Sequence, residues 1–209
     1  MDPICGSNGD IRNSGCNSNG DRIHRQQMKT LIIHPDDRST DFLRPIYQNI
    51  PEATVITKGT TYTELRTAML EADRIIMLGH GSPSGLFNVS GIGAGLFAIG
   101  SQYVDVLATK ECIYIWCNAD QFVNNHNLSG LYSGMFVSEV AEARYCGLPS
   151  ATQEQVDQSN DGFARVLGLT LTATPDLGQV HSTVGSEYQL LAESNEVAKY
   201  NVERWYYKN

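Results

Sequence analysis

Two apolar runs of strand length dominate the pattern: Arg74-Ile75-Ile76-Met77-Leu78, ending on Gly79-His80-Gly81, and Cys112-Ile113-Tyr114-Ile115-Trp116, ending on Cys117-Asn118. Short apolar runs bounded by turn residues read as buried strands. Thr30–His34 is a further strand, stopped by Pro35-Asp36-Asp37, and Ala53–Thr57 another. Between strands the spacing becomes helical. Ser39 or Thr40 caps a segment with Phe42, Leu43, Ile46 and Tyr47 on one face, and Pro51 closes it. Thr61 with Glu64 forms a capping box for a helix over Tyr62–Ala72. Helices are expected over Ser101–Ala108, Val137–Tyr145, Thr152–Leu167 and Ser186–Ser194.

Other stretches are less determined. Residues 82–100 are Gly-rich, with Leu86–Val89 and Gly95–Ala98 as arms of a small hairpin or as a loop over a site. Thr170–Thr174 reads as a strand or as the end of the preceding helix, and 124–129 as a loop. Asn201–Tyr207 reads as an edge strand or a docked tail. Residues 1–27 are rich in Gly, Asn, Ser and Asp, too polar to offset the cost of ordering, and read as a flexible tail or propeptide before one domain over 28–209. The alternation of strand and helix predicts an α/β fold, a mostly parallel sheet flanked by helices.

Parallel strands of this kind carry their sites at their carboxyl ends. If the two dominant runs are neighbours, His80 and Cys117 emerge together. That pairing carries chemistry. A thiol near its ordinary pKa of about 8.5 needs an imidazole beside it to attack a carbonyl near neutrality. His80 would take the thiol proton and return it to the leaving amine. Gly81, without a side chain, and the Cys117 amide would offer N–H groups to the oxyanion. Asn118 and the small Ala119 would keep the entrance open.

At these residues the chain resembles the caspase-like cysteine peptidases of clan CD: caspases, legumains, gingipains, clostripain-like enzymes, separases and CHAT domains. Their signature is one hydrophobic block ending His-Gly and a second ending in the catalytic Cys, matched here by Ile75–Gly81 and Ile113–Cys117. Cys117-Asn118 is most similar to the gingipain arrangement. The resemblance spans roughly residues 28–148. It implies a caspase-like three-layer sandwich, a His80–Cys117 dyad with Gly81 in the oxyanion hole, and a protein or peptide substrate. The caspase Gln-Ala-Cys-x-Gly pentapeptide is absent. Ile115 stands where several of these families place a polar pocket residue.

Substrate preference therefore stays open. Asp36 and Asp37 after the first strand and Asp120 after Cys117 are candidates to bind a basic side chain. Arg38 favours an acidic one, and Ile115 a small or apolar one. Two further functions stay in view: a non-catalytic interaction module on the same fold, and a flavodoxin-like domain binding a small molecule.

Composition narrows the partners. A formal charge of −8, from 15 Lys and Arg against 23 Asp and Glu, lacks the basic footprint nucleic acid requires. No apolar run reaches membrane-spanning length. The five cysteines follow no Cys-x-x-Cys ligand pattern, so neither metal nor cofactor is expected. Without an apolar leader the expected location is cytoplasmic. Gly91-x-Gly93-x-Gly95 lacks the spacing of a phosphate loop. His34 reads as a turn residue, His126 and His181 as solvated. Glu139 and Glu142 read as a solvated helix face, and Trp205-Tyr206-Tyr207 as a packed C-terminus.

Overall fold

The computed structural model describes residues 28–209; the expected tail, 1–27, lies outside them. The fold is a mixed α/β arrangement around a six-stranded sheet, ordered β2-β1-β3-β7-β8-β9. These strands are β1 (Thr30–Ile33), β2 (Thr54–Ile56), β3 (Arg74–Leu78), β7 (Glu111–Ile115), β8 (Gly130–Ser133) and β9 (Trp205–Lys208). All pair in parallel except β9, which runs antiparallel beside β8. A second sheet of three short antiparallel strands, β4 (Gly81–Ser82), β5 (Gly85–Phe87) and β6 (Phe97–Ile99), follows β3 directly. Of the two forms open for residues 82–100, the hairpin is the one present. Gly91, Gly93 and Gly95 occupy its connecting loop, all at positive φ.

Side-chain alternation along the strands divides the core into two layers. Leu31, Ile33, Ile75, Met77, Cys112, Tyr114 and Trp116 point to one face. There they meet Leu65 and Met69 of α1 (Tyr62–Glu71), Val106 and Leu107 of α2 (Val104–Leu107), and Phe122 of α3 (Ala119–Asn125). Ile32, Ile76, Leu78, Ile113 and Ile115 point to the other face. That layer is closed by α5 (Gln153–Ala173), α6 (Leu177–Ala192) and α7 (Glu196–Val202). The short helix α4 (Val140–Tyr145) packs in a smaller cluster with Val156 and Val197.

Local chemistry explains most boundaries. The Thr61–Glu64 capping box starts α1 as expected, and a second box, Thr152 with Gln155, starts α5. The segment Arg38–Ile46 is a 3₁₀ helix with Pro45 inside it, opened by the Asp37 side chain accepting from the Ser39 amide. Residues 170–173 extend α5 rather than forming a strand. α6 begins well before Ser186, with Asp176 accepting from the Gln179 amide at its N-terminus. Four elements were not anticipated: β4, the short helix α7, α3, whose last turn is polar, and β8, which opens on glycine.

Arg74 fixes the lower end of the two central strands. It is 4% exposed, pairs with Glu111 across the strand boundary at 2.8 Å, and donates to the Pro175 carbonyl. Gly168 of α5 lies against the 3₁₀ segment so closely that an added Cβ would sit 2.3 Å from the Pro45 carbonyl oxygen. Gly168→Ala should push that segment away and destabilise the protein by about 1–3 kcal/mol, read as a lowered urea midpoint. An unchanged midpoint would show that the contact relaxes freely.

Candidate active site

Register places the two candidate side chains. β3 and β7 pair with Leu78 opposite Ile115, and the Gly79 amide donates to the Ile115 carbonyl at 3.0 Å just beyond the strands. His80 and Cys117 each follow two residues later, at the carboxyl edge of the sheet. Both line one small cleft with Phe42, Leu43, Ile115 and Phe136.

His80 is held from the β1 side. Its Nε2 lies 2.7 Å from Ser39 Oγ, and the Ser39 hydroxyl is 2.7 Å from Asp37 Oδ1. A carboxylate only accepts, so the Ser39 proton goes to Asp37. Ser39 must then accept from His80, which puts the imidazole proton on Nε2 and leaves Nδ1 with its lone pair. Asp37 Oδ1 also takes the Ser39 amide at 3.0 Å, capping the 3₁₀ segment. These two bonds hold its carboxyl below the usual range. A carboxylate thus stands one hydroxyl away from His80.

His34 secures that loop from below. It is buried, with Nδ1 3.0 Å from the Tyr47 hydroxyl and Nε2 3.0 Å from Thr40 Oγ1. Thr40 spends its own proton on the Asp37 carbonyl, so His34 donates from Nε2 and accepts from Tyr47. Both bonds suit the neutral ring, and burial, reinforced by the Arg44 charge, lowers its pKa to about 4. His34 is therefore a structural post for the 37–40 loop.

Cys117 sits on a sharp strand-to-helix turn. Asn118 adopts φ 65°, a left-handed conformation that asparagine tolerates, and its amide donates to the Gly134 carbonyl at 3.1 Å. Ala119, expected at an open entrance, is instead fully buried in the first layer. The thiol faces the loop after β8. It is 3.4 Å from the Phe136 carbonyl and 3.9 Å from Glu142 Oε1. Glu142 is aimed there by its other oxygen, which accepts from the Ser138 amide at 2.8 Å, the Ser138 hydroxyl at 3.0 Å and the Glu139 amide at 3.2 Å. Burial first, then the Glu142 charge, pushes the Cys117 thiol up to about 12. The group present is the protonated thiol.

Gly81 has a packing reason for its identity. A Cβ there would lie 2.3 Å from Trp116 Cδ1, while the Trp116 indole N–H donates to the Ser82 carbonyl at 3.1 Å. The residue before Cys117 is thereby braced against the strand that follows His80. The three carboxylates considered for substrate binding do not line the cleft. Asp36 is exposed and pairs with Arg44 at 3.5 Å, Asp37 serves Ser39, and Asp120 Oδ1 is buried without a partner among the described residues.

Sequence reasoning missed Ser39 and Glu142 at the site. An Asp-x-Ser turn signal at Asp37-Arg38-Ser39 was available for the first. Nothing local distinguished the second from a capping glutamate. His181 is stacked on Trp205, with Nε2 3.1 Å from its carbonyl, rather than solvated. Among the described residues no group of three His, Cys, Asp or Glu side chains is placed to hold a metal, and no helix is long and apolar enough to cross a membrane. No protein-family model, curated protein or solved structure matches the chain.

Two measurements follow from these environments. Because His34 has a folded pKa near 4 against 6.5 unfolded, the unfolded state binds the extra proton between those values. Its contribution is complete above pH 6.5 and is lost as pH falls toward 4. The loss amounts to about 3 kcal/mol. Urea midpoints over pH 4–7 should fall accordingly and flatten in His34→Gln; equal slopes would remove His34 as the cause. For the thiol, Glu142→Gln should lower the Cys117 pKa and speed its alkylation by iodoacetamide at pH 8. An unchanged rate would mean that burial alone sets it.

Proposed function

We propose that the protein is a thiol hydrolase, a cysteine endopeptidase of the caspase-like clan, with Cys117 as nucleophile and His80 as base. The observation that carries this reading is the convergence of both residues, in register, on one cleft at the carboxyl edge. The caspase-like sandwich belongs to the same proposal. A mostly parallel sheet with helices on both faces supports it, as does the exit of the two residues from neighbouring strands.

The chemistry follows from the hydrogen bonds. Substrate binding turns the Cys117 thiol from the Phe136 carbonyl toward His80 Nδ1. The sulfur attacks the scissile carbonyl carbon as its proton passes to Nδ1, so no standing thiolate is needed. Throughout, His80 Nε2–H stays bonded to Ser39, which donates to Asp37 and holds the ring in place. The carbonyl electrons move onto oxygen, where the neighbouring amides of Gly81 and Cys117 would receive them. Collapse expels the amine, which takes the proton from Nδ1. Water, deprotonated by the same nitrogen, then hydrolyses the thioester and restores the thiol.

The high thiol pKa favours one other reading, a binding module that retains the residues without catalysis. A cysteine-directed acyloxymethyl ketone separates the two: it should modify Cys117 in the first and leave it intact in the second. Cys117→Ala and His80→Ala should each abolish turnover, the double variant being little worse than either. Melting temperatures should be nearly unchanged. Ser39→Ala should lower kcat about tenfold to a hundredfold, with Ser39→Thr recovering most of it. Full activity in Cys117→Ala would end the proposal.

A further inference from the structure

Resting on the thiol-hydrolase reading, we propose that the cleft beside Cys117 receives the acyl-side residue of the substrate and admits only side chains of about methyl size, alanine foremost. The attacked carbonyl carbon is one bond from the acyl Cα. The side chain on that Cα therefore enters the recess adjoining the sulfur. That recess has a volume of about 20 Å³. A single water requires about 10–15 Å³ on the same measure, so the space fits one methyl-sized group.

Its walls are mostly apolar, with Thr40 and Ser138 the neutral polar side chains among them. The rings of Phe42 and Phe136 stack at 6.4 Å with an 11° interplanar angle, and Leu43 and Ile115 add further apolar lining. His80 is the one ionisable side chain besides Cys117 that lines it, and no carboxylate or Arg does. A Lys, Arg, Asp or Glu side chain would lose its water there without gaining a partner. Asp36 and Asp37 have Arg44 and Ser39 instead. A leucyl side chain would need one ring to move. Phe136 is 5% exposed and packs on Phe163 at 4.9 Å. Phe42 is less buried and stands on the 3₁₀ segment, so Phe42 sets the size limit.

The experiment uses four acyloxymethyl ketones that differ only in the residue beside the ketone: alanyl, leucyl, arginyl and aspartyl. Modification of Cys117 is followed by intact mass, with Cys117→Ala as the control. The alanyl probe should react about tenfold or more faster than each of the others. Phe42→Ala should raise the leucyl rate relative to the alanyl rate about tenfold. Phe42→Leu, which keeps the position packed, should move it less and in the same direction. Arginyl or aspartyl labelling of Cys117 as fast as alanyl would overturn the pocket while leaving the thiol hydrolase standing. Leucyl labelling as fast as alanyl in the unmodified protein would do the same. Failure of every probe to modify Cys117 would overturn the hydrolase reading and this inference with it.

Discussion

The parallel pairing of β3 with β7 is the constraint on which the rest depends. Each strand is buried on both faces, so neither can slip by one residue without exchanging its two apolar sets. Ile75 and Met77 must meet α1 and the hairpin, while Ile76 and Leu78 must meet α5. The Arg74–Glu111 pair marks one end of the ladder and the Gly79–Ile115 bond the other. With the register locked, the residues two positions beyond each strand have no freedom to be elsewhere. Placement of His80 and Cys117 on one cleft thus follows from core packing.

The same constraint explains the glycines and the tryptophan around the site. The chain must leave β3 and turn at once into the small sheet, while Trp116 needs space between that sheet and the core. Gly81 supplies the space, because any Cβ would overlap the indole. Trp116 in turn ties β7 to the Ser82 carbonyl. The turn after Cys117 needs a left-handed residue, and asparagine fills it. Gly81 and Asn118 are therefore accounted for by geometry, whichever chemistry the neighbouring residues perform.

Legibility in the sequence tracked how self-contained each signal was. β3, β7 and α1 were readable because an apolar run or a capping box lies within a few consecutive residues, whereas the Gly-rich stretch that forms the hairpin left a loop equally open. β8 was not readable. It is four residues long, opens on Gly130 at φ 126°, and is recognisable as a strand only once Cys112 is seen behind that glycine, 2.1 Å from where a Cβ would stand. The omission had a consequence for the site. β8 runs parallel beside β7, so the loop leaving it surfaces at the same edge. Without β8, nothing connected Phe136, Ser138 and Glu142 with Cys117. The 3₁₀ form of residues 38–46 hid Ser39 in the same way, since an α-helical reading would have turned its hydroxyl elsewhere.

These omissions change the electrostatic character of the site more than its position. A reading restricted to strand ends yields a symmetric His–Cys pair. The structure instead divides two carboxylates between the partners. Asp37 reaches His80 through the Ser39 hydroxyl; Glu142, facing the sulfur, opposes negative charge on Cys117. Burial and Glu142 together disfavour a resting thiolate, and that penalty disappears once sulfur bonds to carbon and loses its charge. On the proposed hydrolase reading, the buried, protonated thiol would be slow toward casual electrophiles. On that reading reactivity would be conferred by the substrate, through displacement of the Cys117 thiol from the Phe136 carbonyl and occupation of a cleft that is already mostly apolar. Selectivity and latency would share one wall, because Phe136 contributes its ring to the recess and its carbonyl to the thiol.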